Sequence, residues 1–232
     1  SYGGCRPADC QWGPRCGDAI VDPEHEACDR GDLNGTGITT DKFAPCSLTC
    51  GYHGRIVFVT SQLHDGALGG VSGGDLKCRA ASLAAGLPNA TEYRAWLSDE
   101  AMSPASRFAQ WDAPGVPLIL IGGLVVAHDF AELVDFGPRT GIARTEFDEV
   151  IFEEQVWTNT SAFGEVFSAT NHCSGWTSSS EQLKSRIGRN ALAIEAGPEW
   201  QTWRDQRWWT SFAAQNCNKP ARLYCIDDSL IL

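Results

Sequence analysis

The densest run of potential ligand atoms lies between Cys16 and Asn34. Asp18, Asp22, Glu24, Glu26, Asp29, Asp32 and Asn34 place seven oxygen-bearing side chains in a short stretch bounded by cysteines. Hard cations such as Ca²⁺ take six to eight oxygens from carboxylates, amides and backbone carbonyls, so a structural calcium site is one reading of this stretch. A solvated acidic turn region is the other. A second group lies near the end of the chain, where Trp200, Trp203 and Trp208 alternate with Arg204 and Arg207. Flat aromatic faces beside guanidinium donors suit sugar rings or a protein hot spot. Lys184, Arg186 and Arg189 extend this basic cluster inside a net-acidic region, and sulfate or carboxylate groups would complement it. Against this stands the ordinary fate of Trp, which is the core. Trp96, Trp157, Trp176 and Trp209 are expected there, and Trp200 and Trp203, in a polar loop containing Pro198, are expected outside.

Catalytic constellations are sparse. The five His are 25, 53, 64, 128 and 172; His64-Asp65 and His128-Asp129 are adjacent pairs, but chain neighbours need not face each other. There is no nucleophile elbow and no zinc-protease helix. Glu146, Asp148, Glu149, Glu153 and Glu154 could supply a general acid and base. A block of like charge more often forms a solvated face. With its cysteines oxidised the chain offers no thiolate nucleophile. The expectation is a protein that is not an enzyme.

The chain of 232 residues has 10 Cys, 9 Trp, one Met and a net charge of −11, with 43% hydrophobic residues. That hydrophobic content supports a real core and excludes wholesale disorder. The sign of the charge argues against nucleic acid as a partner, since phosphate neutralisation needs clustered Lys and Arg. The longest apolar run, Leu118 to Ala127, is about half of the ~20 residues a membrane-crossing helix needs, so no membrane span is expected. The sequence opens with neither Met nor a signal sequence, which reads as a mature fragment of an exported protein.

An even cysteine count in a Met-poor, Trp-rich chain reads as disulfides and an oxidising compartment, extracellular or at the cell surface. Cys46 and Cys50 have metal-like spacing, but no second close Cys pair or His-x3-His follows. Six of the ten cysteines precede residue 51. Residues 1–54 also hold four basic and eight acidic side chains, leaving fourteen and twenty-one for 55–232, so the charge divides into −4 and −7. The first segment has too few apolar residues to hold a fold by burial and needs cross-links or metal. Two units are therefore expected: a disulfide-rich acidic segment, 1–54, and a larger domain, 55–232.

In the larger domain, Ile56 to Thr60 reads as a buried strand. The glycine-rich stretch from Leu68 to Gly74 is not a phosphate loop, because no Gly-Lys-Ser/Thr follows. A helix is expected over 74–85, with Leu76, Ala80, Leu83 and Ala84 on its apolar face and Gly86 and Pro88 ending it. Tyr93 to Leu97 reads as a strand, and Ser103-Pro104 as an N-cap and first helical position. Leu118–Ile121 and Leu124–Ala127 flank Gly122-Gly123 as a tight hairpin. Further short strands are expected at 156–158, 175–177 and 222–226. Few helices among many short strands make an α+β domain.

Two resemblances follow. The run from Cys16 through Gly17-Asp18, Glu26, Cys28-Asp29, Gly31 and Cys46-Ser-Leu-Thr-Cys50 resembles the short cysteine-rich repeats of secreted myxobacterial and related proteins. It departs from them at Ala19 and Arg30. In the larger domain, Phe58-Val-Thr-Ser, Gly69 to Cys78, Arg94-Ala-Trp-Leu-Ser-Asp99, Val156-Trp-Thr-Asn-Thr, Cys173-Ser-Gly-Trp-Thr and Leu223-Tyr-Cys-Ile-Asp resemble, in order, the motifs of endostatin-like domains. The motifs look more like those of the leptospiral endostatin-like proteins than those of the collagen-derived endostatins. This resemblance spans most of 55–228 and implies a C-type-lectin-like fold with nested disulfides, Cys78 to Cys225 and Cys173 to Cys217. The other six cysteines would pair among themselves. The calcium-dependent sugar tripeptides of C-type lectins are absent, and Thr follows Trp at 157–158 and 176–177. No His cluster opens the domain, so the zinc site of endostatins does not carry over.

The sequence reading is an exported or cell-surface binding module for adhesion, recognising a glycan or a surface or extracellular-matrix protein through Trp200, Trp203, Arg204, Arg207 and Trp208. The rivals are a structural subunit of a surface assembly or filament, and a secreted hydrolase. Asn34, Asn89 and Asn159 head N-glycosylation acceptor triplets.

Overall fold

A computed structural model describes residues 2–4, 11–37, 43–190 and 207–229. Its strands are β1 (Arg55–Val59), β2 (Tyr93–Ala95), β3 (Leu118–Ile119), β4 (Val125–Ala127), β5 (Gln155–Trp157), β6 (Lys184–Arg189), β7 (Ala213–Asn216) and β8 (Arg222–Asp227). The helices are α1 (Gly70–Ala84), α2 (Pro104–Arg107), α3 (Phe130–Phe136) and α4 (Cys173–Trp176). The architecture is α+β.

The sheet is organised around β8. One edge of β8 pairs antiparallel with β1, Phe58 opposite Cys225. Its other edge is shared, antiparallel to β2 at Ala95–Cys225 and parallel to β5 at Trp157–Leu223. The order is β4-β3-β1-β8-β5-β6-β7 with β2 beside β8. Alternate residues of a strand point to opposite faces. Accordingly Val57, Val59, Val156, Tyr224 and Ile226 feed one core with Trp96, Phe130 and Trp209. Phe58, Tyr93, Ala95, Trp157, Leu223 and Cys225 feed another, with Val71, Cys78 and Trp176. A strand buried on both faces reads as a continuous apolar run, as Leu223 to Ile226 does.

Trp96, Trp157 and Trp176 are fully buried and Trp209 nearly so. Their polar edges are satisfied: Trp96 Nε1 donates to Thr210 Oγ1 at 2.8 Å, Trp157 Nε1 to the His64 carbonyl at 2.8 Å and Trp176 Nε1 to the Ser98 carbonyl at 2.9 Å. Trp96 lies 4.9 Å from Trp209 between ring centroids, and Trp111 stacks 5.1 Å from Phe130.

α1 departs from its expected form. It begins at Gly70, not 74, and its inward residues are Val71, Gly74, Asp75, Cys78 and Ser82. Leu76 and Leu83 are 62% and 70% exposed, so the expected apolar face points outward. The reason is the closeness of the sheet. A Cβ at Gly74 would stand 2.5 Å from Leu97 Cδ1, so glycine lets the helix approach the sheet there. The buried Asp75 is engaged by Arg107, whose Nη1 lies 2.8 Å from Oδ2, and by the Ala95 N–H at 2.8 Å.

Residues 175–177 are not a strand. They belong to the turn α4, where Cys173, Ser174, Gly175 and Trp176 all take positive φ. The expected hairpin forms, with β3 antiparallel to β4 and the Gly123 N–H on the Leu120 carbonyl at 2.8 Å. The Ser103 turn forms too, Ser106 Oγ accepting from the Ser103 N–H at 2.9 Å.

Among the described residues there are four disulfides: Cys16–Cys50, Cys28–Cys46, Cys78–Cys225 and Cys173–Cys217. The last two are the nested pair implied by the endostatin resemblance. Cys5 and Cys10 lie outside the described residues. Cys78 and Cys225 are 147 residues apart and tie α1 to β8. Four cross-links imply folding in an oxidising compartment. Among the described residues no helix is long and apolar enough to cross a membrane.

The N-terminal segment is held differently. Its buried cluster is Cys28, Cys46 and Cys50, with Cys16 and Tyr52 packed against them. It leans on the β3–β4 hairpin, where the Ala44 N–H reaches the Gly123 carbonyl at 3.0 Å and Ala44 buries against Ile119 and Val125.

Candidate functional site

The seven candidate metal ligands share one loop system but turn much of their oxygen inward to backbone donors. Asp29 is its centre. Its Oδ2 accepts from the N–H groups of Gly17, Asp18 and Ala19 at 2.9, 2.9 and 3.0 Å. Its Oδ1 accepts from the Gly31 N–H at 2.8 Å and from Asn34 Nδ2 at 2.9 Å. Burial works to raise the Asp29 carboxyl, but these hydrogen bonds outweigh it and hold the group below the usual carboxylate range. Asn34 Oδ1 accepts from the Arg30 N–H at 2.8 Å. Asp18 accepts from the Arg15 and Ile20 N–H groups at 3.1 and 3.0 Å, and Asp22 from Glu24 N–H at 3.3 Å. Glu26 accepts from Tyr2 Oη at 2.7 Å and Asp22 N–H at 3.2 Å. Glu24 and Asp32 are exposed.

Among the described residues, the one group of three His, Cys, Asp or Glu side chains with ligand atoms within 4.8 Å is Glu26, Asp29 and Cys50. The Cys50 sulfur is spent in its bond to Cys16. N–H donors gathered around the Asp29 carboxylate therefore stabilise the loop.

The second candidate group forms an exposed aromatic and basic face. Trp200, Trp203 and Arg204 lie outside the described residues. Arg207 and Trp208 are both at the surface. They line a hollow of about 270 Å³ with Phe163, Phe167, Arg186 and Ser211. The Arg186 guanidinium lies 4.5 Å from the Phe167 ring centroid, and Arg207 lies 5.2 Å from that of Phe163. Beside the hollow, Arg189 lies 4.8 Å from the Phe212 ring, whose other neighbour is Trp208 at 5.5 Å, edge on. Three guanidinium groups thus sit over aromatic faces, held in position by cation–π attraction.

Local chain geometry builds this face. The β6–β7 pairing sets Arg186 opposite Ala214, and Arg186 donates to Ser211 Oγ at 3.0 Å and to the Ser211 carbonyl at 3.1 Å. Burial pulls its guanidinium down from the ordinary arginine value. The Phe residues come from a tight loop after β5 that bridges Thr160 to Val166. Gly164 at its tip has φ +74, and a Cβ there would stand 2.2 Å from Trp111 Cη2, so the loop is seated on the core. With Gly164 fixed, Phe163 and Phe167 stand 53% and 47% exposed.

Phe163, Phe167 and Phe212 carry no signal of their own in the sequence. The pattern that could have found the first two is a pair of Phe four apart within a run of Ser, Ala and Gly, where no core-facing period would place them. Lys184 shares the outward side of β6 with Arg186 and is exposed.

The catalytic candidates do not converge. Asp65 accepts from the Ala67 N–H at 3.0 Å, and Asp129 caps α3 by accepting from the Glu132 N–H at 2.8 Å, so neither adjacent His-Asp pair is a dyad by this bonding. His172 Nδ1 accepts from the Gly175 N–H at 2.6 Å and caps α4. The acidic run splits. Glu146 turns inward onto Ser61, while Asp148, Glu149 and Glu153 are exposed and Glu154 lies 3.7 Å from Arg222. Of the glycosylation triplets, Asn159 is fully buried with its amide on the Ser98 and Ser168 carbonyls, and Asn34 is buried beside Asp29. Asn89 is exposed, its amide donating to Asp227 and Ser229.

No family model matches this chain, and no curated protein matches it.

Proposed function

We propose that the chain is an exported or cell-surface binding module, and that the face built by Phe163, Phe167, Arg186, Arg207 and Trp208 takes an acidic glycan or the acidic surface of a protein. The single observation that carries this reading is the layering of guanidinium groups over exposed rings around a shallow hollow. Such a surface offers stacking planes for pyranose rings and pre-aimed donors for carboxylate or sulfate. It is open and shallow, which suits recognition rather than the enclosure that chemistry requires. An endostatin-like, C-type-lectin-like domain is the fold we infer. Its support is the ordered motifs across 55–228 together with the Cys78–Cys225 and Cys173–Cys217 pairs. Adhesion is the role that family resemblance implies.

The test is a binding screen of the whole chain against neutral, carboxylated and sulfated glycans and matrix proteins, with and without Ca²⁺. Acidic ligands should bind and neutral ones of the same backbone should not. Binding that falls steeply with salt would mark the arginines as the donors. A preference for neutral ligands would overturn the assignment.

A second reading has its own observation. The loop at 147–153 exposes Phe147, Val150 and Phe152 among Asp148, Glu149 and Glu153, an acidic and aromatic counterpart to the basic face. One copy's loop against another's basic face would be a head-to-tail contact, as a subunit of a surface assembly requires. Sedimentation showing growth with concentration, abolished by Asp148→Lys with Glu149→Lys, would support it.

A further inference from the structure

The outward-facing apolar side of α1 borders a cleft that the binding face does not use. The cleft holds about 540 Å³, within the range of small-ligand sites. One wall is the α1 face, with Leu76, Ala80 and Ala84; the other is the chain from Thr60 to His64 and the loop residue Phe147. Leu68 closes its floor, 4% exposed, while Leu76 and Phe147 stay 62% and 53% exposed.

Its ionisable groups are Glu146, Lys77 and His64. Glu146 is 4% exposed and both oxygens are engaged by Ser61, Oε1 accepting from the hydroxyl at 2.5 Å and Oε2 from the N–H at 2.8 Å. Lys77 also lines the cleft and makes no hydrogen bond or ion pair among the described residues. His64 stands near it. Burial pulls the imidazole below its ordinary value and Lys77 adds to this, opposed by Asp65 and Glu146. A neutral ring donates one N–H. What a headgroup meets in this cleft is an unpaired ammonium beside a neutral imidazole, with aliphatic and aromatic surface behind.

We propose that the cleft between α1 and the Thr60–His64 segment binds an amphiphilic monocarboxylate, its carboxylate at Lys77 and its apolar body along Leu76, Ala80, Ala84 and Phe147. An ammonium takes a carboxylate as a point charge, and partial desolvation in a walled cleft strengthens the pair relative to open surface. The apolar body gains the burial that Leu76 and Phe147 lack in the free protein.

Titration calorimetry of the whole chain with decanoate, decanol and decylamine, each below its micelle-forming concentration, tests this. Decanoate should bind at least tenfold tighter than either of the others. Lys77→Gln should erase that preference while decanol binding stays as it was. Ala80→Trp, at an exposed helix position, should fill the cleft and block decanoate. A melting temperature within a few degrees of wild type confirms that each variant is folded. Equal binding of the three probes, tightest binding of decylamine, no binding of decanoate, or decanoate binding that survives Ala80→Trp in the folded variant would each overturn the proposal.

Discussion

The N-terminal segment and the larger domain carry two disulfides each among the described residues, yet the bonds do different work. In 11–54 the buried hydrophobic cluster is little more than the cystine sulfurs, and a polar hub around Asp29 supplies the remaining order. In 55–229 two aromatic and aliphatic cores flank a sheet, and the disulfides add to a structure that burial already supports. The same covalent bond is therefore scaffold in one region and reinforcement in the other. Strand β6 and the loops beside it carry the arginines and rings of the proposed binding face, whereas Asp18, Asp22, Glu26 and Asp29 accept hydrogen bonds within the segment.

Ways to break this contrast differ in size. Replacing Cys78 and Cys225 together by Ala removes a cross-link whose loop spans 147 residues, for which chain-entropy reasoning gives about 4–5 kcal/mol. The domain should still unfold cooperatively, with a lower denaturant midpoint. Replacing Cys28 and Cys46 should instead release the segment, read as rapid proteolysis before residue 54 while the main melting transition stays within a few degrees. If the two double variants gave the same pattern, the division between scaffold and reinforcement would fail.

Trp96→Ala should cost about 3–5 kcal/mol, as large aromatic truncations in a packed core do. It also removes the indole donor to Thr210 Oγ1, which keeps its own bond to the Thr160 carbonyl at 3.2 Å. Phe163→Ala and Phe167→Ala, at exposed positions, should each change stability by no more than about 0.5 kcal/mol while weakening acidic ligands.

Asp29→Ala should cost the segment about 1 kcal/mol, a modest figure because the site is partly exposed and screened. The folded carboxyl titrates below its unfolded value, so its stabilisation is complete above the usual carboxylate range and is lost as pH falls through the folded value. Acid should loosen the segment while the cores persist, seen as earlier proteolytic cleavage there. The smallest expected effect is that of a chelator. Because N–H donors already occupy the carboxylate of Asp29 and much of Asp18, Asp22 and Glu26, excess EDTA should leave the melting temperature unchanged. A drop of several degrees would show that a bound cation, not the N–H donors, holds the loop.

The sequence made some of this legible and hid the rest for identifiable reasons. β1, β8 and the Gly122-Gly123 hairpin were readable because continuous apolar runs and a turn dipeptide are local signals. The helix α1 was readable as a helix but not in its orientation. Leu76 and Leu83 set the apparent apolar stripe, while burial belongs to Gly74, Ser82, Cys78 and an ion-paired Asp75, residues a hydrophobicity pattern discounts. The turn at Cys173–Trp176 hid behind a strand-like composition because positive φ at four successive residues is imposed by tertiary fixing. β6 and β7, with Lys184, Arg186, Arg189, Gln215 and Asn216, are too polar to announce a strand. At the binding face the basic cluster and Trp208 could be seen, but Phe163 and Phe167 join them only through the sheet. The oxygen count behind the calcium reading was legible in the sequence, whereas the N–H donors that Gly17, Asp18, Ala19 and Gly31 turn onto Asp29 depend on how the loop folds.

The most direct test of the binding face is the affinity of the whole chain for its best acidic glycan, measured for wild type and for the Phe163→Ala, Phe167→Ala, Trp208→Ala triple variant. The account predicts a loss of at least tenfold with the melting temperature within a few degrees of wild type. Unchanged affinity in a folded triple variant would contradict it.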